Sequence, residues 1–309
     1  MTTPEPIHLR EVTPDQADAL AALTWGQYRH LLSMDAQQRQ DARACCIAAW
    51  AGDTPVGLVT SARASRQSDG QTLLSLFVAK AWRRRGIGRN LLRALDQALR
   101  AHGVTAQEVL YSDRLPGAAG FGQLLQAEGW PEPEAVHLRI CGPVRETFSV
   151  FRHRAGILQR LDREGFRIRT WAEDGERALA HAAAVLAEGA APGWADPRPW
   201  LDMIHPDASM VLITPDDHIC GWVMCQHQAE LSRWYFPVGW VQEPQAGRGW
   251  LLGAYAEGAR RLAEAHGDDT RVVVESSCGL KGMWRVLERH FVPYADWSDR
   301  MLESIRPLA

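Results

Sequence analysis

The chain of 309 residues is longer than one typical domain, so its length predicts two domains with separate hydrophobic cores. Hydrophobic residues make up 46% of the chain, charged residues make up 23%, and the formal net charge is only -3. These are ordinary proportions for a globular protein, and the near balance of charge argues against a nucleic-acid-binding surface.

The amino terminus lacks the basic and apolar segments of a secretory signal, and no apolar run is long enough to span a membrane. We therefore expect a cytoplasmic protein without a membrane partner. Adjacent Cys45 and Cys46 favour reduced thiols over a disulfide scaffold. The one ligand-like group is residues 218–227, where an extended strand would place Cys220 and Cys225 on opposite faces, about 16 Å apart. We therefore expect no metal site.

The first elements in chain order are a strand, helical segments and a hairpin. Residues 7–12 alternate as a strand, and Thr13-Pro14-Asp15 begins a helical region that extends to Leu32. Residues 44–50 and 56–59 form two apolar runs around a Gly-Asp-Thr-Pro turn, which predicts antiparallel strands.

A buried strand and an amphipathic helix follow, joined by a basic glycine loop. Residues 73–78 form a continuous apolar run of strand length, and leucines recur at helical spacing over 91–99. The loop between them reads Arg83-Arg84-Arg85-Gly86-Ile87-Gly88-Arg89. A helix start exposes unpaired N–H groups, glycine lets an anion approach closely, and arginine adds charged donors. The stretch therefore predicts a phosphate or pyrophosphate site, although it matches neither a P-loop nor a Rossmann fingerprint.

The pattern Arg83-x-x-Gly86-x-Gly88 between a strand and a helix resembles the acyl-CoA loop of the GNAT superfamily of N-acetyltransferases. The resemblance implies an α/β (α+β) fold, a mixed, mostly antiparallel sheet flanked by helices. It also implies acetyl-CoA as co-substrate, with the pantetheine arm on the strand and the pyrophosphate on the loop. The residues that it assigns to the coenzyme are Phe77, Val78, Arg83, Arg84, Arg85, Gly86, Ile87, Gly88, Arg89 and Asn90.

The remaining chain predicts a second copy of the same order of elements. A strand at 107–111, a helix and a closing strand at 135–140 complete a first domain over 1–143. Residues 144–165 predict a helix that links two lobes. From Phe166 onward the elements recur, which predicts a second domain over 166–309.

The tandem order resembles two-lobed GNAT proteins such as mycothiol synthase. The lobes differ at the loop, because a leucine pair follows Val78 by thirteen residues but follows Val241 by ten. The second loop also lacks the arginine triplet and contains the bulky Trp250. We therefore predict that the first lobe binds acyl-CoA and that the second lobe is a degenerate copy.

The resemblance implies transfer of an acetyl group from acetyl-CoA to an amine, by direct attack on the thioester. Many members use a tyrosine acid where this chain has Leu125, and some use a glutamate base where it has Gln71-Thr72. The remaining candidates are Tyr111, Ser112 and Asp113, at the end of the predicted fifth strand.

The leading prediction is an acyltransferase that transfers groups other than aminoacyl groups to a small metabolite, amino acid or related amine. The predicted partner is this small-molecule amine acceptor, without nucleic acid, and the expected state is a monomer or homodimer. A second interpretation is a Fem-type transferase that uses aminoacyl-tRNA. A third is a non-catalytic CoA-binding sensor or interaction protein, because the usual tyrosine and glutamate are missing.

Overall fold

The structure is a computed structural model that describes residues 6–63, 70–145 and 155–308. The chain divides into two compact units. The first unit is Met1–Val136 with Arg300–Ala309, and the second unit is His137–Asp299. Within the described ranges, every helix is too short or too polar to cross a lipid bilayer.

The first unit is a mixed sheet flanked by helices. Its strands are β1 (Ile7–Glu11), β2 (Cys45–Ala51), β3 (Thr54–Arg63), β4 (Gly70–Val78) and β5 (Ala106–Ser112). Its α-helices are α1 (Ala17–Leu20), α2 (Ala36–Ala42), α3 (Ile87–Ala101) and α4 (Ala118–Ala127), and short 3-10 helices lie at Pro14–Gln16, Ala21–Leu23, Gly26–Leu31 and Lys80–Trp82. Neighbouring strands in the order β1-β2-β3-β4-β5 are antiparallel, except that β4 and β5 are parallel.

The second unit repeats this plan. Its elements begin with β6 (Glu134–Pro143), α5 (Ala155–Arg163), β7 (Arg167–Thr170), α6 (Trp171–Ala187), β8 (Met210–Ile213) and β9 (Ile219–Gln228). They continue with β10 (Arg233–Val241), α7 (Trp250–His266), β11 (Arg271–Ser277) and α8 (Lys281–His290), and 3-10 helices lie at Gly193–Ala195, Arg198–Trp200, Ala229–Leu231 and Val292–Tyr294. The last strand, β12 (Trp297–Pro307), belongs to the first unit from Arg300 onward. The strand order is β6-β11-β10-β9-β8-β7, in which only β10 and β11 are parallel. The two units confirm the predicted fold class.

The closing strand of the first sheet differs from the sequence prediction. Strand β6, which we expected to close the first sheet, instead pairs with β11, where Ile140 lies opposite Val274. The first sheet is closed by the carboxyl-terminal strand, where Leu302 of β12 lies opposite Tyr111 of β5. The compact units therefore differ from the predicted boundaries at 143 and 166, because an alternating strand pattern specifies a buried face and not a partner.

The predicted linker helix over 144–165 is described only in part. Residues 146–154 lie outside the described residues, and the described remainder contains α5, with Leu161 buried in the core of the second unit.

The core of the first unit holds α3 against the sheet. The predicted apolar face of this helix is fully buried, and each such leucine contributes about 1.5–3 kcal/mol. The buried leucines of α3 are Leu91, Leu92, Leu95 and Leu99. This packing fixes the amino-terminal end of α3 beside the end of β4.

A buried arginine attaches β12 to the same unit. Arg306 donates to the carboxylate of Asp96 in α3, to Gln107 Oε1 in β5 at 2.9 Å and to the Glu128 carbonyl at 2.9 Å. It also lies over the Trp130 ring, 4.4 Å from the ring centroid. Burial raises the pKa of Asp96, and the Arg306 guanidinium opposes this shift.

Candidate functional site

Strands β4 and β5 separate where a bulge interrupts β4. The register with β3 shifts after Thr60 opposite Ser75 and leaves Leu74 as an extra residue. The pairing with β5 ends at the same place, at Leu73 opposite Val109. Beyond this pair the two strands are no longer neighbours in a ladder, so β4 presents an open backbone edge, here called the gap.

The alternation of hydrogen-bonded pairs between β3 and β4 decides which backbone groups of β4 face the gap. The Ala79 N–H donates to the Val56 carbonyl at 2.8 Å. Because bonded and non-bonded pairs alternate along an antiparallel ladder, the backbone of Phe77 faces β3, whereas Leu76 and Val78 face the gap. Of the two strand residues that we assigned to the pantetheine arm, Val78 is therefore well placed through its N–H, and Phe77 is not. Sequence reasoning missed Leu76, because the bulge determines which residues of β4 bond to β3 and which face the gap.

The loop after β4 contains two left-handed residues. Gly86 precedes the first residue of α3 and has a φ of 79°, while Arg84 has a φ of 65°. A Cβ on Gly86 would meet no atom of the described residues within 4 Å, so glycine is required there by the backbone conformation and not by lack of space. The left-handed conformation of Arg84, which is not a glycine, costs about 1–2 kcal/mol of backbone strain. Such strain is often found at functional sites.

Three amides at the start of α3 precede its hydrogen-bond ladder. The first bond of the helix runs from the Asn90 N–H to the Gly86 carbonyl at 3.0 Å. The N–H groups of Ile87, Gly88 and Arg89 therefore lie before the ladder, at the positive end of the helix dipole. Asn90, which we also assigned to the coenzyme, can offer only its side chain, since its backbone N–H is already bonded.

The arginines of the loop have different environments. Arg83, Arg84 and Arg85 are all exposed. Arg83 Nε donates to the Val78 carbonyl at 2.9 Å, and the Arg85 guanidinium lies over the Trp82 ring at 4.8 Å.

Arg89 has a different partner from the other loop arginines. Its Nε lies 2.9 Å from Glu128 Oε1, which follows α4. Arg93 contacts the same carboxylate at 2.7 Å. An anion at the helix start would therefore meet the backbone amide of Arg89 in preference to its guanidinium.

Tyr111 lies in the core beneath α4. Its ring contacts Phe121 edge-on, with centroids 5.0 Å apart, and its hydroxyl lies 3.1 Å from the point where a Cβ on Gly122 would stand. The phenol belongs to the same buried cluster as Leu125, the position where many family members carry the tyrosine acid. Burial raises the pKa of Tyr111, so the phenol keeps its proton at neutral pH.

Ser112 and Asp113 lie beside Tyr111 and bond to nearby backbone. Ser112 Oγ accepts the Arg114 N–H at 3.1 Å. Asp113 Oδ1 accepts the Arg300 N–H of β12 at 3.1 Å. The three predicted catalytic residues therefore lie together at the end of β5. Ser112 and Asp113 each accept a backbone N–H there.

Glu108 is a candidate that sequence reasoning missed. It lies directly opposite Thr72, one pair before the gap, and Thr72 Oγ1 donates to Glu108 Oε1 at 2.5 Å. Glu108 Oε2 is buried, and no described residue is a hydrogen-bond partner for it. A carboxylate therefore lies opposite Thr72, the part of the fourth strand where some family members carry a glutamate. Only the parallel register of β4 and β5 reveals this.

The second unit contains a comparable gap and turn. Its β10 has a register shift after Tyr235, and its pairing with β11 ends at Phe236 opposite Val274. Gly249 precedes α7 with a φ of 89° and follows the last residue of β10 by eight positions, as Gly86 follows the last residue of β4. The second turn is therefore not shorter, which corrects our reasoning from the leucine pairs. These pairs occupy different turns of the two helices.

The side chains of the second turn nevertheless differ from those of the first. Leu251 takes the position of Gly88, counted from the glycine before the helix. Trp250 is fully buried, with the Arg248 guanidinium 5.1 Å from its ring centroid. Arg248 also forms an ion pair with Glu164 at 2.9 Å, so its charge is already neutralised.

The cysteines of the ligand-like segment are buried in β9. Burial raises the pKa of Cys220 to about 12 and raises that of Cys225 further. Among the described residues, no group of three or more His, Cys, Asp or Glu side chains could hold a metal ion.

Comparison with known proteins supports this fold. Residues 15–116 match the family model described as Acetyltransferase (GNAT) family, a segment that contains the loop, α3 and β5. None of the curated proteins compared with the chain matches it.

Three solved structures resemble the chain over nearly its whole length. One is the glucosamine N-acetyltransferase region of a fungal multi-domain GH3 β-N-acetylglucosaminidase, with a TM-score of 0.67 and 13% identity over 98% of this chain. The chain spans only 38% of the length of that fungal protein. A tandem GNAT protein from clavulanic acid biosynthesis has a TM-score of 0.62 at 14% identity and covers 98% of this chain and 99% of its own.

A GCN5-related N-acetyltransferase from Sphaerobacter thermophilus has a TM-score of 0.58 at 15% identity, over 99% of this chain and 97% of its own. Identities this low establish the fold and not the substrate. The family model matches about a third of the chain, in the first lobe, and the solved structures show that the whole chain has a tandem GNAT fold.

Proposed function

We propose that the protein is an N-acyltransferase that moves an acetyl group from acetyl-CoA to the amine of a small molecule. The observation that carries the proposal is the position of the gap directly beside the amide-rich start of α3. An extended pantetheine arm can bond to the open edge of β4 as an added strand does, through Leu76 and Val78. The diphosphate then meets the amides of residues 87–89 and the exposed arginines 83–85.

Our proposed mechanism assigns the proton transfers to two residues. The neutral amine nitrogen attacks the thioester carbonyl carbon, and a backbone N–H of Leu76 or Val78 stabilises the oxyanion. Glu108 accepts the proton that the nitrogen loses, directly or through water, because its Oε2 has no described partner. As the C–S bond breaks, Tyr111 donates its proton to the leaving thiolate. Asp113 is an alternative acceptor, but its carboxylate already bonds to the Arg300 N–H.

The test combines calorimetric binding with turnover. We expect acetyl-CoA to bind the protein and to release free thiol when a panel of primary amines is added. Joint replacement Arg84→Ala and Arg85→Ala should weaken binding at least about tenfold, since each contact from a charged donor to a phosphate contributes about 1.5–3 kcal/mol. The control Arg285→Ala with Arg289→Ala removes the same charge from the exposed face of α8 and should bind normally. Equal affinity in all three proteins would refute the site.

The same assay separates the alternatives. A CoA-binding sensor would bind acetyl-CoA and release no thiol with any amine. A Fem-type transferase would not bind acetyl-CoA and would require aminoacyl-tRNA. The near balance of charge and the arginine-flanked loop both favour the acyl-CoA interpretation over this last one.

A further inference from the structure

Three adjacent strands of the second unit bring a tyrosine, a glutamate and a histidine together. Tyr235 Oη of β10 donates to Glu275 Oε2 of β11 at 3.3 Å. His137 Nδ1 of β6 lies 3.0 Å from Glu275 Oε1, and the side chains of both residues are 22% exposed. The carboxylate is therefore oriented from two sides and remains within reach of a ligand from solvent.

The position of this cluster matches the hydroxyl–carboxylate pair of the first unit. The pairing of β10 with β11 ends at Val274, so Glu275 is the first residue beyond the ladder. Tyr235 occupies the pair before the last, as Thr72 does in the first unit. In each unit a hydroxyl of the bulged strand thus donates to a carboxylate of the next strand, at the start of the gap. The second unit achieves this with different residues, the carboxylate lying two positions further along its strand.

The guanidinium groups around Glu275 make their hydrogen bonds to other partners. Arg139 lies opposite Glu275 in the register of β6 and β11. Its guanidinium forms a two-point ion pair with Asp299, in which Nε lies 3.0 Å from Oδ1. The Asp299 side chain is 4% exposed and the Arg139 side chain is 23% exposed, so this pair is half-buried and neutral overall. Arg139 therefore directs its hydrogen bonds to Asp299, while its charge also interacts with Glu275 at longer range.

Arg233 is a second guanidinium on this face, two residues before Tyr235 in β10. It donates to Gln228 at 2.7 Å and lies over the Trp297 ring at 5.8 Å. Arg233 therefore lies before Tyr235 in β10, whereas the pairing of β10 with β11 ends after Tyr235, at Phe236. Among the groups described here, the Tyr235 hydroxyl and the His137 imidazole are the ones within hydrogen-bond distance of Glu275, and each occupies one carboxylate oxygen, which can accept a further donor.

We propose that the second lobe binds a protonated primary amine at Glu275, oriented by Tyr235 and His137. An ammonium group can donate to the carboxylate and to water while its chain lies in the gap between β10 and β11. The turn before α7 has Leu251 at the position of Gly88 and has Arg248 paired with Glu164, so an anionic coenzyme is less favoured there. This lobe therefore binds an amine-bearing molecule without transferring a group to it, and the inference does not depend on acetyl transfer by the first lobe.

The experiment follows the ring signals of His137 by NMR in protein labelled at histidine. The probe is n-butylammonium at neutral pH, with n-butanol as the uncharged probe of similar size. We expect a saturable shift of the His137 signals with the amine and none with the alcohol. His137→Gln assigns the signals.

Matched variants localise the effect. Glu275→Gln should weaken amine binding at least tenfold, whereas Glu230→Gln, which removes the same charge from an exposed position in the same lobe, should bind as the parent does. Should Glu275→Gln fail to fold, Tyr235→Phe removes only one donor and should weaken binding at least threefold. A His137 signal that the amine leaves unmoved, or equal binding by the parent and both site variants, would overturn the proposal.

Discussion

Replacement of Gly86 by alanine tests whether the anion loop depends on backbone conformation. Gly86 has a φ of 79°, a region where a Cβ costs about 1–2 kcal/mol, yet an added Cβ would have no atom from the described part of the chain within 4 Å. The substitution should therefore cost only the backbone strain, without a steric clash. A cost of this size corresponds to about a 5- to 30-fold change in an equilibrium constant. If the variant loop changes its conformation, we expect acetyl-CoA affinity to fall about 5- to 30-fold. If the loop keeps its conformation, we expect the free energy of unfolding to fall by about 1–2 kcal/mol.

Gly88→Ala is the matched control on the same turn. Gly88 has no positive φ, and its added Cβ would lie 3.4 Å from Leu124 and 3.8 Å from Val78, which are ordinary van der Waals distances. Urea denaturation should find the free energy of unfolding of this variant within about 0.5 kcal/mol of the parent's. If Gly86→Ala changes neither quantity, or if Gly88→Ala costs as much, the conformational argument fails.

Three further predictions follow from the same structure. Glu108→Gln should lower kcat about 100-fold while acetyl-CoA affinity is retained, as expected for loss of a general base; a kcat unchanged across the pH profile would exclude this role. Arg306→Met leaves the carboxylate of Asp96 buried without its cation, and should reduce the free energy of unfolding in urea by about 3–5 kcal/mol. Iodoacetamide at pH 8 should modify the exposed Cys278 and spare Cys225, whose burial raises its pKa, until the protein is unfolded; peptide mass spectrometry reads both sites.

Several parts of this protein follow from local patterns in its sequence. The leucines of α3 bury one helical face because their spacing follows the 3.6-residue turn. The arginine and glycine positions of the loop indicate a helix start with free amides, because the chemistry of that turn is contained in a few adjacent residues. The repetition of element order likewise predicts two lobes of one fold class.

Other parts depend on partners that are far apart in the chain, so only the tertiary structure decides them. Strand β12 pairs with β5 across almost two hundred residues, and nothing in its alternating pattern distinguishes this partner from a nearer one. The contact of Glu108 with Thr72 exists because a parallel register places them opposite each other. The contact of Glu275 with His137 arises in the same way, from the pairing of β6 with β11. Local backbone preferences determine the helix start and its loop, whereas strand pairing depends on the whole core and selects the carboxylates beside each gap.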